Sequence, residues 1–174
     1  REEELERRVR EESEELNRRL AEVHKRLRKK SKELNDRHKE LDDRIRREAD
    51  RLRKDIRRQG KEDDKLDREI KEIERELRKR SEELHDTNRK ILRENEENLR
   101  RLHKENRDIE RDLERKRLDD EVLKELKEMH DRLREHVKRD SERAERMHEE
   151  LKRLSDELER RVREALKRLK EKVR

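Results

Sequence analysis

The chain has 174 residues, of which 64% are charged and 24% hydrophobic, with no aromatic residue, proline or cysteine and a single glycine. Soluble domains average roughly a quarter charged and nearly half apolar residues, so a broad conventional core is excluded. Disulfides and thiolate metal centres are excluded with it, and a net charge of only +6 from 59 basic and 53 acidic residues argues against a disordered polyelectrolyte.

Glu, Arg, Lys and Leu dominate, and all are strong helix formers, so the composition predicts long helices. No run approaches the roughly 20 apolar residues that a bilayer span requires. Arg1 to Arg10 contains no apolar stretch of the kind a secretory signal needs, and no cellular location is assigned.

The first predicted helix covers about 2–59. Its inward candidates are Leu5, Val9, Ser13, Leu16, Leu20, Val23, Leu27, Ser31, Leu34, His38, Leu41, Ile45, Ala49, Leu52 and Ile56. From Val9 to Leu27 they advance in steps of four and three, and the pattern repeats from Leu27 to Ile45. Five turns in about eighteen residues match the 3.6-residue turn of a straight helix, not the 3.5 of a heptad coiled coil.

The first corner is "RRQGKEDDKL", where Gly60 suits the left-handed position after a helix and Asp63 or Asp64 can cap the next one. The second helix is predicted over about 63–117, with Leu66, Leu84 and Leu102 at the same spacing of about eighteen. The second corner, "KRKRLDDEVL", ends a helix in the basic residues Lys116 and Arg117 and offers Asp119 as the next cap. The third helix is predicted over about 120–173, with Met129 and Met147 as its repeated pair.

At ~1.5 Å per residue these are rods of about 80–90 Å, and connections this short favour antiparallel neighbours. The expected fold is all-α: a straight, near-untwisted, up-down-up three-helix bundle that occupies residues 1–174 as one domain. Each helix carries a single narrow apolar seam, enough for three helices and little else.

Polar residues share that seam. At ~100° per residue, Ser13, Ser31, His38, Ser81, Asn88, Asn95, Asn106 and Asp140 lie near its centre. Asn17, His24, Asn35, His85, His103, His130, His136 and His148 lie at its margins. Folding the helices antiparallel brings Ser13 and Asn17 level with His103, Asn106 and His130. Ser31 and Asn35 come level with His85, Asn88 and His148, the same set of one Ser, two Asn and two His about 27 Å further along. "MHDRL" at 129–133 and "MHEEL" at 147–151 are then one arm of a polar layer used twice. His24 falls level with Asn95 and Asp140, with His136 and Ser141 nearby, and His38 with Ser81 and Ser155. Unpartnered buried polar groups cost about 1–3 kcal/mol each, so such residues belong together only if they satisfy one another.

With its straight repeat, minimal corners, Glu/Arg/Lys surfaces and His–Asn–Ser layers, the chain resembles de novo designed parametric helical bundles with buried hydrogen-bond networks. It is most similar to those whose histidines make the bundle pH-responsive. The resemblance implies a scaffold without natural activity that loses stability in acid.

Other chemistry is weighed against this. "EELH" (Glu82, His85) and "ERMH" (Glu145, His148) have the Glu-x-x-His spacing of di-metal bundles, but both glutamates fall on the outer face, so no metal or cofactor is assigned. No HExxH motif, glycine-rich phosphate loop or nucleophile–His–acid arrangement is present, and a packed rod offers no substrate cleft, so no enzymatic activity is expected. Basic residues alternate with acidic ones and aromatics are absent, which argues against nucleic acid. The thin stripe lacks Trp and Phe, which argues against membrane binding at neutral pH. A monomer requiring no partner is expected, with self-association as the alternative. The alternatives are a natural structural coiled-coil or charged-helix stalk, and an acid-triggered membrane-active bundle.

Overall fold

The computed structural model describes residues 2–60, 64–115 and 117–174. They form three helices, α1 (Glu2–Arg58), α2 (Asp64–Arg115) and α3 (Asp120–Val173), an all-α three-helix bundle with no strand among the described residues. Acidic side chains occupy each first turn and basic ones each last turn, which complements the helix dipoles.

Gly60 follows α1 with φ at +66°, and its N–H donates to the Arg57 carbonyl at 3.1 Å. This is the left-handed helix stop that the sequence predicts. Before α3, Asp119 Oδ1 accepts the Val122 N–H at 2.9 Å, the N-cap bond predicted for it. Asp64 is already helical, and Asp63 and Lys116 lie outside the described residues. α2 is described to Arg115, and Arg117, expected near its end, is not helical but accepts a turn bond from the Asp119 N–H.

The helices contribute to two compact units. One holds Arg1–Lys30 and Ile91–Met147. Its core takes Val9, Leu16, Leu20 and Leu27 from α1, Leu102, Ile109 and Leu113 from α2, and Leu123, Leu126, Leu133 and Val137 from α3. Ser13 bonds Asn106 while Arg28 pairs with Glu96, so α2 runs opposite to α1 there. Glu12 pairs with Arg134 and Arg26 with Glu145, so α3 runs with α1.

The other unit holds Ser31–Lys90 and His148–Arg174. Leu41, Ile45, Leu52 and Ile56 meet Leu66, Ile70 and Leu77 of α2 and Leu158, Val162, Leu166 and Leu169 of α3. The order is the same: Ser31 bonds Asn88 and Arg53 pairs with Glu74, while His38 bonds Ser155 and Glu48 pairs with Lys170.

One face is turned from its expected position. Met129 is 40% exposed and Met147 half-buried, whereas His130 and His148, expected at the margin of the α3 seam, are 0% and 3% exposed. Burying Met in place of His would leave the imidazole in water and forfeit its hydrogen bond to Ser13. The flexible thioether tolerates partial exposure at little cost.

Candidate functional site

In the first unit a polar cluster is set among leucines. Ser13 lies one turn before Leu16 and Asn106 one turn before Ile109, so the apolar period carries both side chains inward. The Ser13 hydroxyl donates to Asn106 Oδ1 at 3.1 Å, and Asn106 Nδ2 donates to the Ser13 carbonyl at 3.1 Å and to Asn17 Oδ1 at 2.8 Å. Asn17 Nδ2 donates to Glu110 Oε1 at 2.6 Å, which ties the layer to a carboxylate at its edge.

His130 Nε2 lies 3.2 Å from Ser13 Oγ. Because the serine proton points to Asn106, the bond forms with Nε2–H donating, and Nδ1 is left bare and buried. Glu12 Oε2 stands 3.8 Å from that nitrogen, beyond hydrogen-bond reach, and is ion-paired at 3.0 Å with Arg134. Burial pushes the His130 imidazole below its ordinary value, Glu12 opposes that shift and Arg134 adds to it.

Residues 31 and 88 repeat the clamp in the second unit. The Ser31 hydroxyl donates to Asn88 Oδ1 at 3.2 Å, and Asn88 Nδ2 donates to the Ser31 carbonyl at 3.0 Å. The periphery does not repeat. Leu92 stands where Glu110 would be, Lys30 replaces Glu12 and Lys152 replaces Arg134. Asn35 Oδ1 is correspondingly buried without a hydrogen bond, whereas its counterpart in Asn17 is satisfied. His148 is buried at the position equivalent to His130.

His38 is 2% exposed and its Nε2 is hydrogen bonded to Ser155 Oγ at 2.9 Å. Its ring meets that of His85 edge to face, with centroids 6.5 Å apart. Burial lowers the affinity of His38 for a proton, nearby His85 and Arg37 lower it further, and Asp42 and Glu159 pull the other way. Ser81, expected beside it, is fully buried with no partner for its hydroxyl.

The group expected around His24 is not joined. No hydrogen bond links His24, Asn95, Asp140 or His136 among the described residues, and Asn95 Nδ2 is buried without a partner. His136 is exposed because the adjacent Val137 takes the core position. Ser141 accepts from Arg26 instead. His103 is half-buried outside the Ser13 layer, and burial followed by the charges of Arg107 and His24 lowers its proton affinity.

Sequence reasoning missed Glu12, Glu110 and Arg134. Each is signalled by spacing: Glu110 is four residues from Asn106 and Arg134 four from His130, on the same helix faces, and Glu12 adjoins Ser13. It also missed Arg37, which binds Glu159 at 2.7 Å and also Asp156. The hydrogen bond from Arg37 holds the Glu159 carboxyl below its usual range.

Among the described residues, no group of three or more His, Asp or Glu side chains could hold a metal ion, and no helix is long and apolar enough to cross a membrane. Compared with models of known protein families, with curated proteins and with solved structures, the chain matches none.

Proposed function

We propose that the chain is a designed helical scaffold whose buried hydrogen-bond networks fix helix register and make its folding sensitive to acid. In this reading it works as a monomer, converts no substrate, and requires no nucleic acid, membrane or cofactor at neutral pH. The recurrence of the Ser–Asn clamp at a constant offset, Ser13 with Asn106 and Ser31 with Asn88, supports layers placed by intent.

The observation that carries the acid response is the position of His130 and His38. Each lies inside an apolar core with Nε2 engaged by a serine hydroxyl and Nδ1 buried without a hydrogen bond. A proton added at Nδ1 would place a charge where no acceptor is within bonding reach, which disfavours the folded form. The unfolded chain then binds protons more readily, so stability is complete above the ordinary imidazole value of 6.5 and falls as pH drops below it.

Thermal melts by circular dichroism at pH 7.5 and 5.5 test this. A lower midpoint at pH 5.5, with a smaller difference when His38 and His130 are both replaced by Asn, supports the reading. Equal midpoints at the two pH values in the parent chain overturn it.

A further inference from the structure

A groove of about 740 Å³ runs between α1 and α2 in the second unit. Five basic side chains line it, Lys39 from α1 and Lys71, Arg75, Arg78 and Lys79 from α2. Among the described residues none of the five is hydrogen bonded or ion-paired to another side chain, whereas nearby Arg53 binds Glu74 and Arg80 binds Glu76. The carboxylates of the groove do not neutralise them. Glu74 is taken by Arg53, and Asp42 has its Oδ1 buried. Glu82 is left as the exposed acid, so the local field is positive.

The spacing on α2 explains why these cations stay unpaired. Lys71, Arg75 and Lys79 follow one another at intervals of four, so like charges stack along one helix face and repel. Elsewhere the same interval joins Glu to Arg, as in Glu4 with Arg8, Glu76 with Arg80 and Glu157 with Arg161. Successive charges on the basic face rise by about 6 Å, inside the screening length of ~10 Å at 0.1 M salt. They therefore act together on a single ligand, and an anion laid along the face relieves their repulsion.

We propose that this groove binds a short linear polyphosphate, with inorganic triphosphate as the probe. Lys71 to Lys79 covers about 12 Å of helix, along which successive phosphoryl groups lie, and Lys39 reaches them from α1. Arg75 and Arg78 present planar guanidinium forks that match two phosphate oxygens at once, and the lysines act as point charges. The chain has no aromatic side chain on which a nucleobase could stack, so the phosphates are recognised and not a nucleoside. A nucleic-acid strand brings one charge per nucleotide, a lower density than triphosphate concentrates in the same length.

The inference does not rest on the acid response. Its test is calorimetric titration of the full chain with sodium triphosphate at pH 7.5, in about 0.1 M NaCl without magnesium. One equivalent is expected to bind about tenfold or more tightly than orthophosphate, and to raise the melting temperature because only the folded chain carries the groove. Adenosine triphosphate binds no more tightly than triphosphate. Arg75→Gln combined with Lys79→Gln weakens binding by about tenfold or more. The charge-matched pair Arg100→Gln with Lys104→Gln, on α2 in the other unit, leaves it within about twofold. All four positions are exposed, so neither double variant disturbs the core. Absence of saturable binding at millimolar triphosphate overturns the proposal. So does equal weakening by the two double variants, which would reduce the effect to net charge, or tighter binding of a short oligothymidylate than of triphosphate.

Discussion

Asn106 holds Ser13 by both ends of its amide: Oδ1 accepts the serine hydroxyl and Nδ2 donates to the serine carbonyl, each at 3.1 Å. Asn88 does the same to Ser31. The difference lies in the third bond, because Asn106 Nδ2 also donates to Asn17 Oδ1 at 2.8 Å. Asn106→Ala strands Asn17 as well as Ser13. It is expected to cost about 1–3 kcal/mol and to exceed Asn88→Ala, measured by urea denaturation at pH 7.5. A larger loss from Asn88→Ala would mean that the additional Asn17 bond contributes nothing.

Two buried serines on neighbouring helices should respond oppositely to the same change. Ser155 hydrogen bonds His38 Nε2, so Ser155→Ala leaves a buried ring nitrogen unpartnered and is expected to cost about 1–3 kcal/mol. Ser81 Oγ has no partner, so Ser81→Ala removes a desolvated hydroxyl and is expected to be neutral or stabilising by up to about 1 kcal/mol. Denaturation midpoints of the two variants side by side decide the matter.

Acid should weaken the fold in two separate windows. His38, His103 and His130 are held below the ordinary imidazole value of 6.5, in each case chiefly by burial. The unfolded chain therefore takes up protons first. Their contribution is complete above about 6.5 and declines through the lower folded values as pH falls. Glu159 is held below its ordinary carboxylate value of 4.5 by Arg37, so its contribution persists through the first window and is lost only in the second. Arg37→Gln is expected to flatten the stability profile below about pH 4.5 and, because Arg37 also lowers the proton affinity of His38, to reduce the fall between 6.5 and 5 without abolishing it. Urea midpoints collected across pH 3.5–8 separate the two.

Most of the fold was legible because the apolar period is strict and the corners use unambiguous chemistry, Gly60 at a helix stop and Asp119 at a helix start. The rotation of α3 was legible too, but hydrophobicity hid it. Counting Met129 as core gives steps of three, three, four and four from Leu123 to Val137. Counting His130 instead gives three, four, three and four, which avoids the consecutive threes that neither the α1 nor the α2 seam shows. Polar pairs on facing seam centres, Ser13 with Asn106 and Ser31 with Asn88, could be placed from register alone. The His24 group could not, because a level in the bundle does not specify which way a side chain at the seam margin turns. His136 loses the interior to its neighbour Val137 on that account.

Gly60 provides a test of the corner that is free of packing effects. Its φ of +66° lies in the left-handed region, and a Cβ placed there meets no atom within 4 Å. Gly60→Ala therefore carries only the backbone penalty, about 1–2 kcal/mol, with no steric clash to relieve. Gly60→Asn should recover part of the loss, since Asn visits this conformation more readily than Ala. If Ala and Asn variants melt together at the parent temperature, the turn does not require its positive φ.

The two clamps differ most at the position where Glu110 of one corresponds to Leu92 of the other, and swapping that residue tests what the carboxylate does. Glu110→Leu deprives Asn17 Nδ2 of its 2.6 Å bond to a charged acceptor, with an expected cost of about 1.5–3 kcal/mol at pH 7.5. The same carboxylate favours the protonated forms of His103 and His130. Its removal lowers both folded values further, while the unfolded values stay where they are. The gap between folded and unfolded states widens, and the drop in stability between pH 7.5 and 5.5 becomes larger than in the parent. Following the ring protons of His103 and His130 by NMR through the same pH range provides the direct check. Titration midpoints that fail to move downward in the variant would show that Glu110 binds Asn17 without acting on the imidazoles.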